Sequence, residues 1–266
     1  MRTDEGYLLV ATKNPAYARM AASAARSLRH YDPGRPVVLA HDRAIAPFIQ
    51  RKHFDGTVII NREVTGTEHH LFLNELSPFE RTFYVDCDCL AVSNRLPDVV
   101  WPGIKKRSVL FPGQKISEGK WRVDIPPVLK KFRIPYVVRN NGGAWGFDRS
   151  KKAEAFFSQA QSLFARKPPE ITIKHVRGNG YANEPFWATS MALCGIEPLS
   201  DDEDLNVSTR HHSGWSIHGG NGAGLYVAIR KGDTVRHPLI CHFLGLGGDK
   251  CPNDLYRAIL ATLDSK

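Results

Sequence analysis

The sequence lacks the features that mark disulfide-stabilised, secreted or membrane-spanning proteins. Its five cysteines are an odd number and form no Cys-x-x-Cys pair, which argues against a disulfide framework and favours a reducing compartment. The apolar run nearest the N-terminus, 7–11, is much shorter than a signal-peptide core or a membrane span. We therefore expect a cytoplasmic protein without a transmembrane segment.

Concentrated positive charge is also missing, although the chain carries a net charge of +9. No block of five or more like charges occurs, and the densest basic runs are Lys105-Lys106-Arg107 and Lys130-Lys131. No nucleic-acid-binding motif accompanies them, so we expect no nucleic acid partner. The excess charge fits either a solvated basic surface or an anionic, phosphorylated substrate.

Internal repeats and low-complexity linkers are absent, and the 266 residues suit one domain. In the first 85 residues, short apolar runs alternate with helical patterns, which is typical of βαβ units and a mostly parallel sheet. The apolar runs lie at 7–11, 36–40, 57–60 and 81–85, and the helical patterns lie at 17–30, 44–52 and 69–76. The predicted fold class is α/β, with a Rossmann-like central sheet flanked by helices.

Regular patterns are sparser in the rest of the chain. Residues 97–135 carry many prolines, glycines and lysines and predict an irregular loop region over one face. Beyond this region, the sequence predicts strands at 136–138, 145–147 and 239–243, helices at 150–165, 184–193 and 254–263, and a glycine- and histidine-rich loop at 214–224.

Two aspartates, Asp86 and Asp88, follow the fourth apolar run directly, where ligands bind in open α/β sheets. Paired carboxylates at this spacing can reach one hard cation such as Mg²⁺ or Mn²⁺, which can bridge a diphosphate. Alone, the pair also fits two solvated turn carboxylates. Haloacid dehalogenase phosphatases share an Asp-x-Asp after a strand, with an aspartyl nucleophile. Theirs opens the domain and is followed by Thr or Val where this chain has Leu90.

Three further segments, read with these aspartates, resemble a known family. They are the approach to the Asp-x-Asp motif (DxD) at 71–90, the Asn-Asn-Gly-Gly-Ala-Trp-Gly-Phe segment at 140–147 and Cys-His-Phe-Leu-Gly at 241–245. Their order and spacing resemble those of glycosyltransferases with the GT-A fold, especially family 8, the glycogenin and galactosyltransferase-like type. Ala11-Thr12 and Tyr17 are similar to that family's nucleotide-binding edge.

This resemblance implies a hexosyltransferase-like enzyme that moves a sugar from a nucleoside-diphosphate sugar, foremost a UDP-sugar, with retention. The acceptor, whether glycan, lipid, protein or small molecule, is not implied. Residues 1–95 would form the nucleotide-binding half, and 96–266 the half for donor sugar and acceptor. The implied ligands of Mn²⁺ or Mg²⁺ are Asp86, Asp88 and His242. Taken alone, His242 on an apolar strand would be interpreted as a buried core histidine.

The resemblance also assigns residues around the donor. Nucleotide and diphosphate binding fall to Ala11, Thr12, Tyr17, Asp86, Gly245 and Lys250, the donor sugar to Asn141 and Gly142, and the reaction centre to Glu184 and Asn141. Two departures from the family pattern concern the phosphates: Lys250 is displaced by two positions, and His69 and His70 stand where a lysine or arginine is common. Alone, Glu184 also fits a carboxylate favoured at a helix N-terminus.

Other interpretations remain open at this point. A sugar-phosphate nucleotidyltransferase would share the fold, but the segment 11–15 lacks its Gly-x-Gly-Thr-Arg loop. A sugar-nucleotide-binding protein without activity is not excluded by any sequence feature. Cys87 and Cys89 flank Asp88 but have no partners at zinc-site spacing, so we interpret them as packing residues.

Overall fold

The computed structural model describes residues 4–61, 67–174, 180–200, 203–210, 212–218, 226–246 and 253–264. Lys250, predicted to contact the diphosphate, and part of the predicted loop 214–224 lie outside these ranges. No helix within the described ranges is long and apolar enough to cross a membrane.

The secondary structure alternates strands and helices through most of the chain. The strands are β1 (Glu5–Ala11), β2 (Val37–His41), β3 (Gly56–Ile59), β4 (Arg81–Val85), β5 (Cys89–Ala91), β6 (Val109–Leu110), β7 (Gly113–Ile116), β8 (Lys120–Trp121), β9 (Val123–Asp124), β10 (Val137–Asn140), β11 (Ala144–Asp148), β12 (Asn206–Ser208), β13 (Gly214–His218), β14 (Tyr226–Lys231), β15 (Thr234–Arg236) and β16 (Ile240–His242). The helices are α1 (Pro15–Tyr31), α2 (Leu73–Leu76), α3 (Leu96–Arg107), α4 (Ile125–Phe132), α5 (Lys151–Arg166), α6 (Glu184–Leu193) and α7 (Asn253–Asp264).

A six-stranded sheet in the order β3-β2-β1-β4-β11-β6 forms the centre of the fold. The first four strands are parallel, whereas β11 runs antiparallel to both of its neighbours. This confirms the predicted α/β class with a parallel-rich central sheet. Because β1 and β4 are adjacent and parallel, Thr12 and Asp86, which follow them, lie at the same edge of the sheet.

Apolar side chains cover both faces of this sheet, because successive residues of a strand point to opposite sides. One face buries Leu8, Val10, Tyr84 and Trp145, and the other buries Tyr7, Leu9, Phe83 and Val85. On the first face Trp145 stacks on Phe111 with ring centroids 4.6 Å apart. On the second face α1 packs closely through small side chains, including Ala18, Ala21, Ala24 and Ala25.

Helix α1 begins as its sequence dictates. The side chain of Asn14 accepts a hydrogen bond from the Ala16 backbone N–H at 2.9 Å, which is the usual role of asparagine at an N-cap. Pro15 occupies the first helical position, where its missing N–H has no helical partner to lose. The helix therefore starts immediately after the edge of the sheet that carries Thr12.

A second, three-stranded sheet in the order β12-β16-β5 joins the C-terminal part of the chain to the Asp-x-Asp segment. Strand β16 pairs antiparallel with β5, in the register that sets His242 opposite Cys89. It pairs on its other side with β12, in parallel. A strand far along the chain is thereby fixed directly beside Asp88.

The region 97–135 is not irregular, contrary to the prediction from its composition. It contains most of α3, all of α4 and the strands β6 to β9. Pro97 in α3 and Pro126 in α4 stand in the first turn of their helices, a position that tolerates proline, and Pro102 lies inside α3. In α3 the residues Leu96, Val100 and Ile104 are buried at a spacing of four, which is a helical period.

Three other predictions need correction. The pattern at 44–52 forms two short 3-10 helices, Ala46–Phe48 and Arg51–His53, rather than an α-helix. The helix predicted at 69–76 is a 3-10 turn, Glu68–Phe72, followed by the single turn α2. The predicted loop at 214–224 begins as strand β13, which pairs with β14.

Gly6, in the central strand β1, provides a test of this packing. A β-carbon at Gly6 would lie 2.4 Å from the buried ring of Phe79, so Gly6→Ala forces a shift in the core. We expect the free energy of unfolding, measured by urea denaturation, to fall by about 1–3 kcal/mol. The control is Gly34→Ala, because a β-carbon there meets nothing within 4 Å. Equal denaturation midpoints for the two variants would contradict the packing of Phe79 on β1.

Candidate functional site

Asp86 and Asp88 occupy the tight turn that links β4 to β5. The Cys89 backbone N–H donates to the Asp86 carbonyl at 3.0 Å, which closes a four-residue turn. The Asp86 N–H donates to the Gly143 carbonyl at 2.7 Å, which anchors the turn to the strand beside it. The turn allows two carboxylates at a spacing of two to approach the same point.

His242 completes this cluster from β16. Its Nε2 lies 3.3 Å from Asp88 Oδ1 and 3.7 Å from Asp86 Oδ2. The Phe243 N–H donates to the Asp88 carbonyl at 2.8 Å, so the backbone is tied at the same point. The side chain of His242 is 5% exposed, whereas the two carboxylates are 20–25% exposed. The structure therefore brings together the three side chains for which a shared cation was predicted.

Asn141 determines which nitrogen of His242 faces the aspartates. Its Oδ1 accepts from the Gly143 N–H at 3.2 Å and lies 2.9 Å from His242 Nδ1. Because a backbone N–H only donates, the amide atom at this position is the oxygen, and Nδ1 must donate to it. In the neutral ring, Nε2 then directs its lone pair towards Asp88. A metal-binding histidine is usually held in this way by its other nitrogen.

The electrostatics of the cluster favour positive charge at its centre. Burial, and then the neighbouring Asp88, raise the pKa of Asp86. Burial lowers the pKa of His242, but Asp88 and Asp86 more than offset this, and the net shift is upward. Carboxylates that stabilise a proton on His242 would stabilise a divalent cation at the same position. Two carboxylates and an imidazole are also a suitable set of ligands for Mn²⁺.

Gly143 leaves the space that His242 occupies. A β-carbon at this position would lie 2.3 Å from His242 Nδ1, whereas one at Gly142 meets nothing within 4 Å. Only glycine at 143 is compatible with the observed position of the imidazole. At Gly142, which was predicted to face the donor sugar, the space is open.

The cysteines beside Asp88 differ in their surroundings. The Cys87 thiol donates to the Val10 carbonyl at 3.1 Å, consistent with a packing residue. Cys89 Sγ lies with one oxygen of Asp88 and one nitrogen of His242 in a group whose members are all within 4.8 Å. Burial, followed by Asp88, raises the pKa of the Cys89 thiol. Cys89 therefore stays a neutral thiol, which donates to the Gly143 carbonyl at 3.4 Å.

Glu184 lies in the first turn of α6 and forms an ion pair. Its Oε1 is 2.6 Å from Nη2 of Arg122, a residue with positive φ between β8 and β9. The negative charge of Glu184 contributes to the upward pKa shifts of Asp86 and His242, so it acts on the same electrostatic site. Arg122 was not singled out from the sequence, because it falls in the region expected to be irregular.

Three of the predicted nucleotide-binding residues, Ala11, Thr12 and Tyr17, lie near the end of β1. Ala11 and Thr12 are buried, and Tyr17 in the first turn of α1 is 43% exposed. Gly245 follows β16 with a φ of 78°, a conformation that favours glycine. Tyr84, a residue of the predicted strand 81–85, donates a hydrogen bond from its hydroxyl to Asp86 Oδ1. Its alternation with Asp86 along one strand was the available signal.

No model of a known protein family matches the sequence, and no curated protein matches it. The galactosyltransferase LgtC, in complex with donor and acceptor sugar analogs, matches with a TM-score of 0.58 and 12% identity, over 98% of this chain and 95% of LgtC. An active-site mutant of LgtC matches with a TM-score of 0.57 and 14% identity, over 96% of this chain and 95% of the mutant.

The bifunctional glycosyltransferase WbbM matches with a TM-score of 0.57 and 12% identity over 95% of this chain. This chain spans 47% of the length of WbbM. Identities this low show the fold alone. The chain has the GT-A glycosyltransferase fold, as the sequence resemblance predicted.

Gly143→Ala tests the predicted cation site without removing a polar atom. The new methyl group must displace the imidazole of His242, so we expect the Mn²⁺ dissociation constant to rise roughly 10- to 100-fold, as when a supporting residue is lost. Titration with Mn²⁺ followed by electron paramagnetic resonance measures this constant. Gly142→Ala is the control and should bind Mn²⁺ as the wild type does. Equal affinity in both variants would show that His242 is not a ligand.

Proposed function

We propose that this protein is a metal-dependent glycosyltransferase that moves a sugar from a nucleoside-diphosphate sugar, foremost a UDP-sugar, to an acceptor. The observation that carries this proposal is the convergence of Asp86, Asp88 and His242 at the edge of the sheet where β1 and β4 end. In a GT-A fold, this edge is suited to an anionic donor. The excess of positive charge in the chain is compatible with such a substrate.

In this proposal Asp86, Asp88 and His242 hold Mn²⁺ or Mg²⁺. The bound cation would neutralise charge on the departing diphosphate, as a Lewis acid does. Asn141 keeps Nε2 of His242 directed at the carboxylates, because its amide oxygen holds the Nδ1 hydrogen. Gly143 leaves room for the ring. The chain's own residues thus orient the ligands before a donor arrives.

The nucleoside would bind at the end of β1. Thr12 lies at the same sheet edge as Asp86, since the two strands are neighbours in parallel register. The exposed ring of Tyr17 can offer a surface for the base. The diphosphate would then extend from this edge towards Asp86 and Gly245, and Lys250 is proposed as a further phosphate contact.

The sugar would lie between Gly142 and the start of α6. Gly142 has open space where a side chain would be, and Asn141 is its neighbour. Glu184 is proposed to lie at the reaction centre, where its carboxylate, held by Arg122, stabilises positive charge developing at the anomeric carbon. Retention at the anomeric carbon follows from the family resemblance, in which the leaving phosphate can act as base.

The match to LgtC supports this proposal because LgtC was solved with donor and acceptor sugar analogs and is covered over 95% of its length. It also reduces the support for a dehalogenase-type phosphatase. The nucleotidyltransferase alternative was already weakened by the missing glycine-rich loop after β1. A donor-binding protein without activity has the same expected site, so activity must be measured directly.

Metal-dependent donor hydrolysis is the direct test. With Mn²⁺ and a panel of nucleoside-diphosphate sugars, we expect slow release of nucleoside diphosphate from one donor, abolished by EDTA. Asp88→Asn should lower this rate by more than the roughly 10- to 100-fold that loss of a supporting residue costs. Asp98→Asn, at an exposed position in α3, is the matched control and should leave the rate unchanged.

Other outcomes of the same assay identify the alternatives. Turnover of p-nitrophenyl phosphate with no effect on any donor would contradict the proposal in favour of a phosphatase. Thermal stabilisation by a donor without hydrolysis would indicate a binding protein, since a ligand at 100 times its dissociation constant adds about 2.7 kcal/mol of stability.

Glu184→Gln tests the proposed reaction centre. The variant keeps the side-chain shape but removes the charge, so we expect kcat to fall about 10²- to 10³-fold with the Mn²⁺ dissociation constant changed far less. Glu154→Gln, also a carboxylate in the first turn of a helix, is the control for a helix-terminal effect. An unchanged kcat in Glu184→Gln would show that Glu184 is only a carboxylate favoured at a helix N-terminus and is not part of the reaction centre.

A further inference from the structure

Three polar side chains from three different elements lie in a row behind Asp86. Tyr84 is in β4 and fully buried, His70 is in the 3-10 turn Glu68–Phe72 with 13% of its side chain exposed, and Asn183 directly precedes α6 with 8% exposed. Asn183 Nδ2 lies 2.8 Å from His70 Nδ1, and His70 Nε2 lies 2.8 Å from the Tyr84 hydroxyl. The Tyr84 hydroxyl in turn contacts Asp86 Oδ1.

The direction of the first hydrogen bond follows from the backbone. Asn183 Nδ2 also lies 3.4 Å from the Thr67 carbonyl oxygen. A carbonyl oxygen only accepts, so the part of the amide that faces both Thr67 and His70 is the NH₂ group. Asn183 therefore donates to His70 Nδ1, which must be the nitrogen without hydrogen.

The remaining directions follow from this one. A neutral imidazole that accepts at Nδ1 carries its hydrogen on Nε2 and donates it to the Tyr84 oxygen. The Tyr84 hydroxyl then has its own hydrogen free to donate, and its partner is Asp86 Oδ1. Each donor in the row has an acceptor, and the hydrogen bonds all run from Asn183 towards Asp86.

We propose that Asn183, His70 and Tyr84 form a one-way hydrogen-bond relay that positions the Asp86 carboxylate for the cation. The relay holds Oδ1, which leaves Oδ2 directed at the point shared with His242, 3.7 Å from its Nε2. The three residues would act on the cation only through Asp86, and they are therefore positioning residues. The inference rests on the proposed function, because the relay acts on the carboxylate that is proposed to hold the cation.

Packing alone does not require the Tyr84 hydroxyl. Its ring meets Trp145 edge-on with centroids 6.3 Å apart, a contact that phenylalanine would keep. The protein also contains a buried tyrosine, Tyr31, whose hydroxyl has no hydrogen-bond partner within the described ranges. Tyr31 thus provides a control in which the same atom is removed from a buried ring without loss of a hydrogen bond.

The relay has a consequence for the proposed reaction centre. Asn183 is the residue immediately before Glu184, so both are fixed by the start of α6. A shift of this helix would change the hydrogen bond to His70 and, through Tyr84, the orientation of Asp86. The relay therefore couples the position of α6 to the orientation of Asp86 at the proposed cation site.

The test compares Mn²⁺ affinity in Tyr84→Phe and Tyr31→Phe, followed by electron paramagnetic resonance of free Mn²⁺. We expect the dissociation constant of Tyr84→Phe to rise about 10- to 100-fold and that of Tyr31→Phe to match the wild type. In the donor assay, Tyr84→Phe should need more Mn²⁺ for half-maximal turnover but recover most of the wild-type kcat at saturating Mn²⁺. Circular dichroism establishes that both variants are folded.

His70 provides a second comparison, which serves even if Tyr84→Phe does not fold. Glutamine can place an N–H near the position of Nε2, whereas alanine cannot, so His70→Gln should retain more Mn²⁺ affinity than His70→Ala. Equal losses in the two variants would indicate a purely structural histidine and overturn the relay.

The outcomes separate this inference from the proposed function. If the wild type binds Mn²⁺ and Asp88→Asn does not, but Tyr84→Phe binds as tightly as the wild type, the relay is wrong and the metal site stands. If the wild type does not bind Mn²⁺ in this assay, the proposed metal site is wrong and the relay's role is overturned with it.

Discussion

The pairing of β16 with β5 is the constraint on which the candidate site depends. It sets His242 opposite Cys89, and so beside the turn that carries Asp86 and Asp88. Without this pairing, the two carboxylates would lie close together with no imidazole beside them; burial and the neighbouring Asp88 raise the pKa of Asp86. The antiparallel register therefore supplies the third side chain of the candidate site.

Two asparagines fix two histidines in opposite tautomers around this site. Asn141 presents its oxygen and so leaves the hydrogen of His242 on Nδ1, whereas Asn183 presents its nitrogen and so leaves the hydrogen of His70 on Nε2. Each amide is itself oriented by a backbone group, the Gly143 N–H in one case and the Thr67 carbonyl in the other. The polarity of the side chains at the sheet edge is thus set by the backbone of the surrounding strands and turns.

Much of the fold could be predicted because its signals are local. The strands β1 to β4 are short apolar runs, and α5 starts at Ser150, whose side chain accepts from the Ala153 N–H as an N-cap. The helix α3 was missed because the many prolines, glycines and lysines of 97–135 indicated a loop, although Pro97 lies in the initial turn and the apolar period continues past Pro102. In that prediction, the residue composition was given more weight than the helical spacing of the apolar residues.

The site could be predicted only as far as the types of its residues and their order along the sequence indicate it. The resemblance named Asp86, Asp88 and His242, and the structure brings them together. The contacts of His70 and Arg122 depend on elements that meet only in the folded chain, so no spacing in the sequence reveals them, whereas the spacing of two between Tyr84 and Asp86 was an available signal. Asn141, predicted beside the donor sugar, also holds His242, a contact that the sequence does not indicate.

The distance along the chain between β5 and β16 has a consequence for the order in which the molecule is built. Contacts between segments far apart in sequence form late, because a long loop must close before they contribute. The strands β1 to β4 can pair before β16 has been synthesised, since segments nearer the N-terminus can fold as they emerge. The turn that holds Asp86 and Asp88 then exists for a time with no imidazole beside it. The three side chains that we propose to hold a cation therefore come together only once residue 242 has emerged and β16 has joined the sheet.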